Sequence, residues 1–247
     1  MIPIGDDNRD RTITPYVNYV LIVINVLVFV LFQGAGNNLN FTYAFATVPA
    51  EIISGEDIVT ADEVIRDPAT GEQFLLPGLQ PTPISVYITL FTAMFMHGGW
   101  AHLLGNMLYL WIFGDNLEDR LGHGRYLLFY LLAGLLASLA HVFASVLIGD
   151  NLQIPSLGAS GAIAGVLGGY LVLFPKRRIT VLVLRMVTQV NAFIAVGLWF
   201  VLQLVGGLGT LSGSSDGVAY AAHIGGFIAG LVLIKLFAVG REPGYGR

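Results

Sequence analysis

The chain has 247 residues, 55% of them hydrophobic and only 11% charged, with a formal net charge of −4. A soluble globular domain carries about 25% charged residues, so this composition excludes an ordinary water-facing surface and points to an integral membrane protein. There is no cysteine, which excludes disulfides, a thiolate nucleophile and a cysteine metal site.

A helix needs roughly 20 apolar residues to cross a bilayer core. Six segments fit, at about 16–33, 98–114, 125–148, 159–174, 190–208 and 217–238. The expected fold class is all-α: a polytopic membrane bundle of six helices. Residues 1–15, with Asp6, Asp7, Asp10, Arg9 and Arg11, are too acidic for a transit peptide and read as an N-terminal tail. Residues 16–238 read as the membrane domain and 239–247 as a C-terminal tail. The fourth helix is short, which fits a start below the membrane surface.

Between the first two helices lies a long loop, 34–85. It holds Glu51, Glu56, Asp57, Asp62, Glu63, Asp67 and Glu72 against the single base Arg66, and Pro49, Pro68, Pro77, Pro81 and Pro83 interrupt it. A loop of this length is more often functional than a plain connector. Phe41 to Ile53 is apolar enough to lie at the interface as a short helix. Segment 179–189 can extend the fifth helix or lie along the membrane surface, and the second placement is preferred.

The basic residues alternate. Arg9 and Arg11, Arg120 and Arg125, Lys176, Arg177, Arg178 and Arg185, then Lys235, Arg241 and Arg247, all fall on one side of six spans. Only Arg66 falls on the other. Under the positive-inside rule both termini are cytoplasmic and the acidic loop is outside.

Polar residues inside such a bundle are costly and call for a role. His102 and Asn106, in Met96-His97-Gly98-Gly99-Trp100-Ala101-His102-Leu103-Leu104-Gly105-Asn106, are four apart and share a helix face. Taken alone they can serve as helix–helix hydrogen bonds. His97 and His102 are five apart with no carboxylate ligand adjacent, so no metal site is expected. Ser160 opens the fourth helix within Gly158-Ala159-Ser160-Gly161, where free backbone N–H groups and the positive helix end can hold an anion. His223 lies in the sixth helix, and Gly226 and Gly230 follow on its own face. The fourth helix carries Gly161, Gly165, Gly168 and Gly169. Two faces of small residues suggest that these helices touch, which brings His223 within reach of Ser160.

A serine needs a base to attack an amide, and an imidazole suits that task. Asn106, His102 and the Ser160 N–H can donate to the tetrahedral intermediate. Other hydrolase patterns fail: Ala162 stands where a nucleophile elbow needs glycine, H-E-x-x-H is absent, and Ile112-Phe113-Gly114-Asp115 lacks the first glycine of G-x-G-D.

These residues together resemble the rhomboid intramembrane serine proteases, over about Phe91 to Gly230. The resemblance is carried by F-M-H-G-G-W-A-H-L-L-G-N, by N-L-E-D-R-L-G, by G-A-S-G and by A-H-I-G-G-F-I-A-G, in that order. It implies a six-helix rhomboid-like bundle, with Ser160 as nucleophile, His223 as base, and Asn106, His102 and the Ser160 N–H as oxyanion hole. It implies a structural cytoplasmic-side pair at Glu118 and Arg120, close packing at Gly226, and a lateral gate near Trp199 and Phe200. The implied activity is endoproteolysis of transmembrane protein substrates within membrane lipid, with no cofactor and no nucleic acid. The expected location is a prokaryotic plasma membrane, with the site near the outer leaflet. Ile88-Thr89 stands about where many relatives carry Trp-Arg, and the acidic stretch from Ile53 to Pro83 has no counterpart. The rival reading is a catalytically silent binder of membrane segments; the presence of both Ser160 and His223 counts against it. A transporter would show discontinuous helices or an inverted repeat, and neither is present.

Overall fold

A long apolar run without internal proline can satisfy its own backbone within one segment by closing helical hydrogen bonds, and most of this chain does so. The computed structural model describes residues 1–66, 71, 73–211 and 219–240. The helices are α1 (Tyr16–Leu27, continued by a π turn over Val28–Phe32), α2 (Leu39–Phe45), α3 (Pro49–Ser54) and α4 (Thr89–Thr92). They are followed by α5 (Trp100–Leu121), α6 (His123–Ile148), α7 (Ser160–Leu173), α8 (Ala192–Leu211) and α9 (Tyr220–Phe237). Helices α6, α8 and α9 are long and apolar enough to cross a membrane, whereas α7 and the α1 segment are apolar but shorter. Helix α5 runs well past the expected limit at Gly114, and its last turns carry Glu118, Asp119 and Arg120. Asp67, Pro68, Glu72, Arg241 and Arg247 lie outside the described residues.

The all-α expectation needs correction. The strands are β1 (Ile2–Asp6), β2 (Glu63–Arg66), β3 (Gln73–Leu76), β4 (Arg178–Val183) and β5 (Met186–Asn191). Strands β2 and β3 form a hairpin within the acidic loop, and β1, β4 and β5 form an antiparallel sheet in the order β1-β4-β5. Segment 179–189, expected along the membrane surface, is therefore mostly strand. The cause is a two-residue period: Ile179 and Val181 are fully buried while their neighbours are more exposed, and β-branched side chains suit a half-buried pleated surface. The N-terminal segment is not a free tail either, since Ile2 pairs with Leu182 and Asp6 with Ile179. The expected interfacial helix over 41–53 is two short helices, α2 and α3, broken at Ala46–Val48.

The N-terminal segment is also tied to the end of α5. Arg11 Nη1 donates to Asp115 Oδ2 at 2.7 Å, and Asp119 Oδ1 accepts from the Thr12 and Ile13 N–H groups at 2.7 and 2.8 Å. Pro15 precedes α1 and gives it no side-chain cap. Fully buried Glu118 supplies that cap from another helix, accepting from the Val17 and Asn18 N–H groups at 3.0 and 2.7 Å, groups that otherwise have no partner inside the helix. His123 Nδ1 also meets Glu118. Asp6 Oδ2 accepts from Tyr170 Oη and from Asn116 Nδ2, both at 2.6 Å. Arg177 donates to the Asp7 carbonyl, to Asp10 and to Asn116.

Helices α7 and α9 pack backbone against backbone. A Cβ at Gly226 would overlap the Gly161 carbonyl oxygen, one at Gly230 the Gly165 carbonyl oxygen, and one at Gly168 the Phe227 carbonyl oxygen. The expected contact between the two small-residue faces is present. Helix α6 closes the group with alanines: Ala133 and Ala137 meet Gly165 and Gly161, and Ala140 meets Gly225. Ten consecutive residues of α7, Gly161 to Tyr170, are buried, so it is the central helix.

Two outcomes follow. Gly230→Val will lower the stability of the detergent-solubilised protein by about 1–3 kcal/mol or more, because neither backbone can retreat from the new methyl groups; thermal unfolding followed by circular dichroism checks this. Burial raises the Asp6 carboxyl from 3.8 to about 7, against the lowering effect of its Tyr170 hydrogen bond. The folded protein therefore binds a proton there that the unfolded chain has released. That contribution is full below the ordinary carboxylate pKa and is lost as pH rises through about 7. The unfolding temperature of wild type will fall from pH 5 to pH 8 relative to that of Asp6→Asn.

Candidate active site

The loop before α7 is fixed on both sides. Ser156 and Thr47 exchange backbone hydrogen bonds of 2.8 and 3.0 Å, and the Gly158 N–H donates to the Ala93 carbonyl at 2.8 Å. Gly158 has φ +131°, which disfavours any side chain. A Cβ there would also lie 2.9 Å from His102 Nε2. Two residues later Ser160 begins α7, half-buried, at the positive end of the helix dipole.

Helix α9 supplies His223 from the first turn after Ala219. Its Nε2 lies 2.7 Å from Ser160 Oγ. Its Nδ1 lies 2.8 Å from Gln203 Oε1 on α8. The Trp199 and Tyr220 rings lie 6.0 and 6.5 Å from the imidazole, centroid to centroid. Phe200 stacks on Phe227 at 4.2 Å, joining α8 to α9 one turn deeper.

Helix α5 brings the third group of residues. Gln33 grips the backbone of His97 from both sides, its Oε1 accepting from the His97 N–H at 2.9 Å and its Nε2 donating to the His97 carbonyl at 3.0 Å. This clamp fixes the chain just before α5. His102 Nδ1 accepts from the Gly98 N–H at 3.3 Å, so a neutral ring carries its proton on Nε2. The space that a Gly158 side chain would fill lies against His102 Nε2 and 3.6 Å from Ser160 Oγ. Asn106 is 8% exposed, and its Nδ2 has no hydrogen-bond partner among the described residues. Buried donors are normally paired, and this one borders the same cleft as Ser160.

That cleft has a volume of about 680 Å³ and is bordered by Ser160, His223, His102, Asn106, Trp199 and Tyr109. Gly98, Ala101 and Gly105 line part of it with little side-chain bulk. Among the described residues no group of three His, Asp or Glu side chains is placed to hold a metal ion. The structure thus brings Ser160, His223, His102, Asn106 and Trp199 together, with Gly158, Gly161, Gly226 and Gly230 as packing positions. Glu118 and Arg120 lie far along α5 from the cleft, where Glu118 caps α1. Sequence reasoning missed Gln203 and His141, which also lines the cleft. The signal for Gln203 was present: a polar residue four positions after Trp199 in an otherwise apolar helix.

A sequence model of the Rhomboid domain matches residues 85–239. The chain is 34% identical over 155 residues to "Rhomboid protein 1, mitochondrial" of Saccharomyces cerevisiae, a match covering 62% of this chain and 43% of that protein. It is 32% identical over 164 residues to "RHOMBOID-like protein 4" of Arabidopsis thaliana, covering 64% and 35%. It is 36% identical over 137 residues to "Rhomboid protease GluP" of Bacillus subtilis, covering 55% and 26%. The chain therefore spans less than half the length of each of these relatives. They support a multi-pass integral membrane protein. The prokaryotic plasma membrane expected from the sequence gains no support from the mitochondrial and plant relatives. The stretch from Ile53 to Pro83 lies outside the region matched by the domain model.

Because Gly158 leaves no room for a methyl group beside His102, Gly158→Ala will displace that ring. Under the nucleophile role expected for Ser160, the rate at which a fluorophosphonate labels it will fall by about 10²-fold, read by intact-protein mass spectrometry over time.

Proposed function

Because the chain belongs to the rhomboid family, we propose that it is an intramembrane serine endopeptidase working through Ser160 and His223. The observation that carries this reading is the 2.7 Å contact between Ser160 Oγ and His223 Nε2, made across two helices whose glycines let them meet. A serine alone is a weak nucleophile at neutral pH, and an imidazole at hydrogen-bond distance supplies the missing base.

In the proposed reaction Ser160 Oγ attacks the scissile carbonyl carbon while its proton passes to His223 Nε2. The carbonyl oxygen becomes an oxyanion, held by the Ser160 N–H, the His102 Nε2–H and the Asn106 amide. The unpaired Asn106 donor supports that role, since a preorganised donor has no reorganisation to undergo as charge develops. The intermediate collapses as the C–N bond breaks, and His223 returns the proton to the departing amine. Water then attacks the acyl-serine by the same route, with His223 again taking and returning a proton.

The proposed substrates are transmembrane protein segments. The cleft lining of Gly98, Ala101 and Gly105 suits small residues at the cleavage site. Trp199 and Phe200 on α8 are the proposed lateral gate, and past Val196 no described residue of α8 is buried. The proposed topology has six spans within 16–238, both termini in the cytoplasm and loop 34–85 outside. Glu118 and Arg120 then lie at the cytoplasmic base.

Purified protein in detergent will cleave a model transmembrane substrate, and Ser160→Ala will not. A fluorophosphonate will label Ser160 in wild type, and His223→Ala will abolish the labelling. Normal labelling of His223→Ala would remove His223 from the mechanism.

A further inference from the structure

Ser160 can pass its proton to His223 only when Nε2 is bare. A neutral imidazole carries one ring proton, which must then sit on Nδ1. An Nδ1–H inside an apolar bundle needs an acceptor, and Gln203 Oε1 lies 2.8 Å away. We infer that Gln203 is a positioning residue for the Ser160–His223 pair: its amide oxygen accepts Nδ1–H and holds the imidazole in the tautomer and orientation that leave Nε2 facing Ser160. This inference rests on the protease reading above.

The amide has two ends, and they instruct the histidine in opposite ways. With Oε1 toward the ring, Nδ1 is protonated and Nε2 accepts from the serine. With the amide reversed, its NH₂ group donates to Nδ1, the ring proton moves to Nε2, and Nε2 donates to Ser160 Oγ. A base in that second state cannot accept the serine proton. Gln203 therefore selects between a competent and an incompetent histidine.

A neutral amide suits this place better than a carboxylate. An ionised acid within a membrane bundle is expensive, whereas the amide dipole adds no net charge. When His223 takes the serine proton, Nδ1–H remains and the same bond to Oε1 persists. Gln203 thus steadies the imidazolium without moving.

The partner also comes from a telling helix. Trp199 and Gln203 are four apart on α8, and both reach His223. No described residue of α8 beyond Val196 is buried, so its upper part is held by contacts such as Phe200 on Phe227. The position of α8 against α9 therefore sets the position of the histidine's partner.

The test compares the full wild-type chain in detergent with Gln203→Leu and Gln203→Glu, using a cleavable model transmembrane substrate. Leucine fills similar space without an acceptor, and glutamate restores one. Gln203→Leu will lower kcat about tenfold or more, leave KM within about twofold and retain the wild-type unfolding temperature; Gln203→Met is read in the same way if leucine disturbs folding. Gln203→Glu will recover most of kcat. With ¹⁵N-labelled histidine, the NMR spectrum will show His223 protonated on Nδ1 in wild type, with that preference lost in Gln203→Leu. Unchanged kcat in both apolar variants, or a wild-type His223 protonated on Nε2, overturns the inference while wild type still cleaves substrate. A wild type that neither cleaves substrate nor labels at Ser160 overturns the protease reading instead.

Discussion

Helices α7 and α9 meet with one backbone against the other, at glycines whose missing side chains leave no room for a methyl group. Gly226 faces the Gly161 carbonyl and Gly230 the Gly165 carbonyl. The apolar surface of lipid offers little hydrophobic drive for such association, so close van der Waals contact between small residues must provide it. The contact begins within one turn of both Ser160 and His223. The 2.7 Å distance between their side chains is a consequence of how near the two backbones can come. The alanines of α6 seal the other side, which explains why α7 is buried along almost all its length.

Around this fixed pair the remaining groups are held by polar residues that the bundle can satisfy internally. Gln33 clamps the chain before α5 and so sets where His102 and Asn106 fall. Glu118 caps α1 from a neighbouring helix. Asp6, Asn116, Tyr170 and Arg177 join the N-terminal strand to the ends of α5 and α7. Each of these side chains has at least one partner, since a wholly unpaired one in such surroundings is costly. Among the buried polar atoms without a partner, the Asn106 donor borders the cleft beside Ser160, and the proposed oxyanion gives it a use.

Much of this was legible in the sequence. The helical runs, the small-residue faces on α7 and α9, and the presence of Ser160, His223, His102 and Asn106 near one end of the bundle follow from hydropathy and spacing. The sheet was not legible as a sheet. Ile179, Val181 and Val183 alternate with Thr180 and Leu182, so apolar Leu182 blurs the two-residue period, and the partner strand, Ile2–Asp6, lies far away in sequence at the N-terminal end of the chain. Gln203 was passed over for a related reason: its meaning depends on which face α8 turns to His223, and periodicity in a helix apolar on all sides does not fix that face. The Glu118 cap was hidden because its receiver, the start of α1, is about 100 residues away.

The most direct test of the account varies bulk at Gly226 while leaving every reacting group in place. The rate at which a fluorophosphonate labels Ser160 is measured for wild type, Gly226→Ala and Gly226→Val, alongside far-ultraviolet circular dichroism. If backbone contact between α7 and α9 sets the Ser160–His223 geometry, labelling falls from glycine to alanine to valine while helicity is retained. Labelling at the wild-type rate in a helical Gly226→Val protein would contradict it.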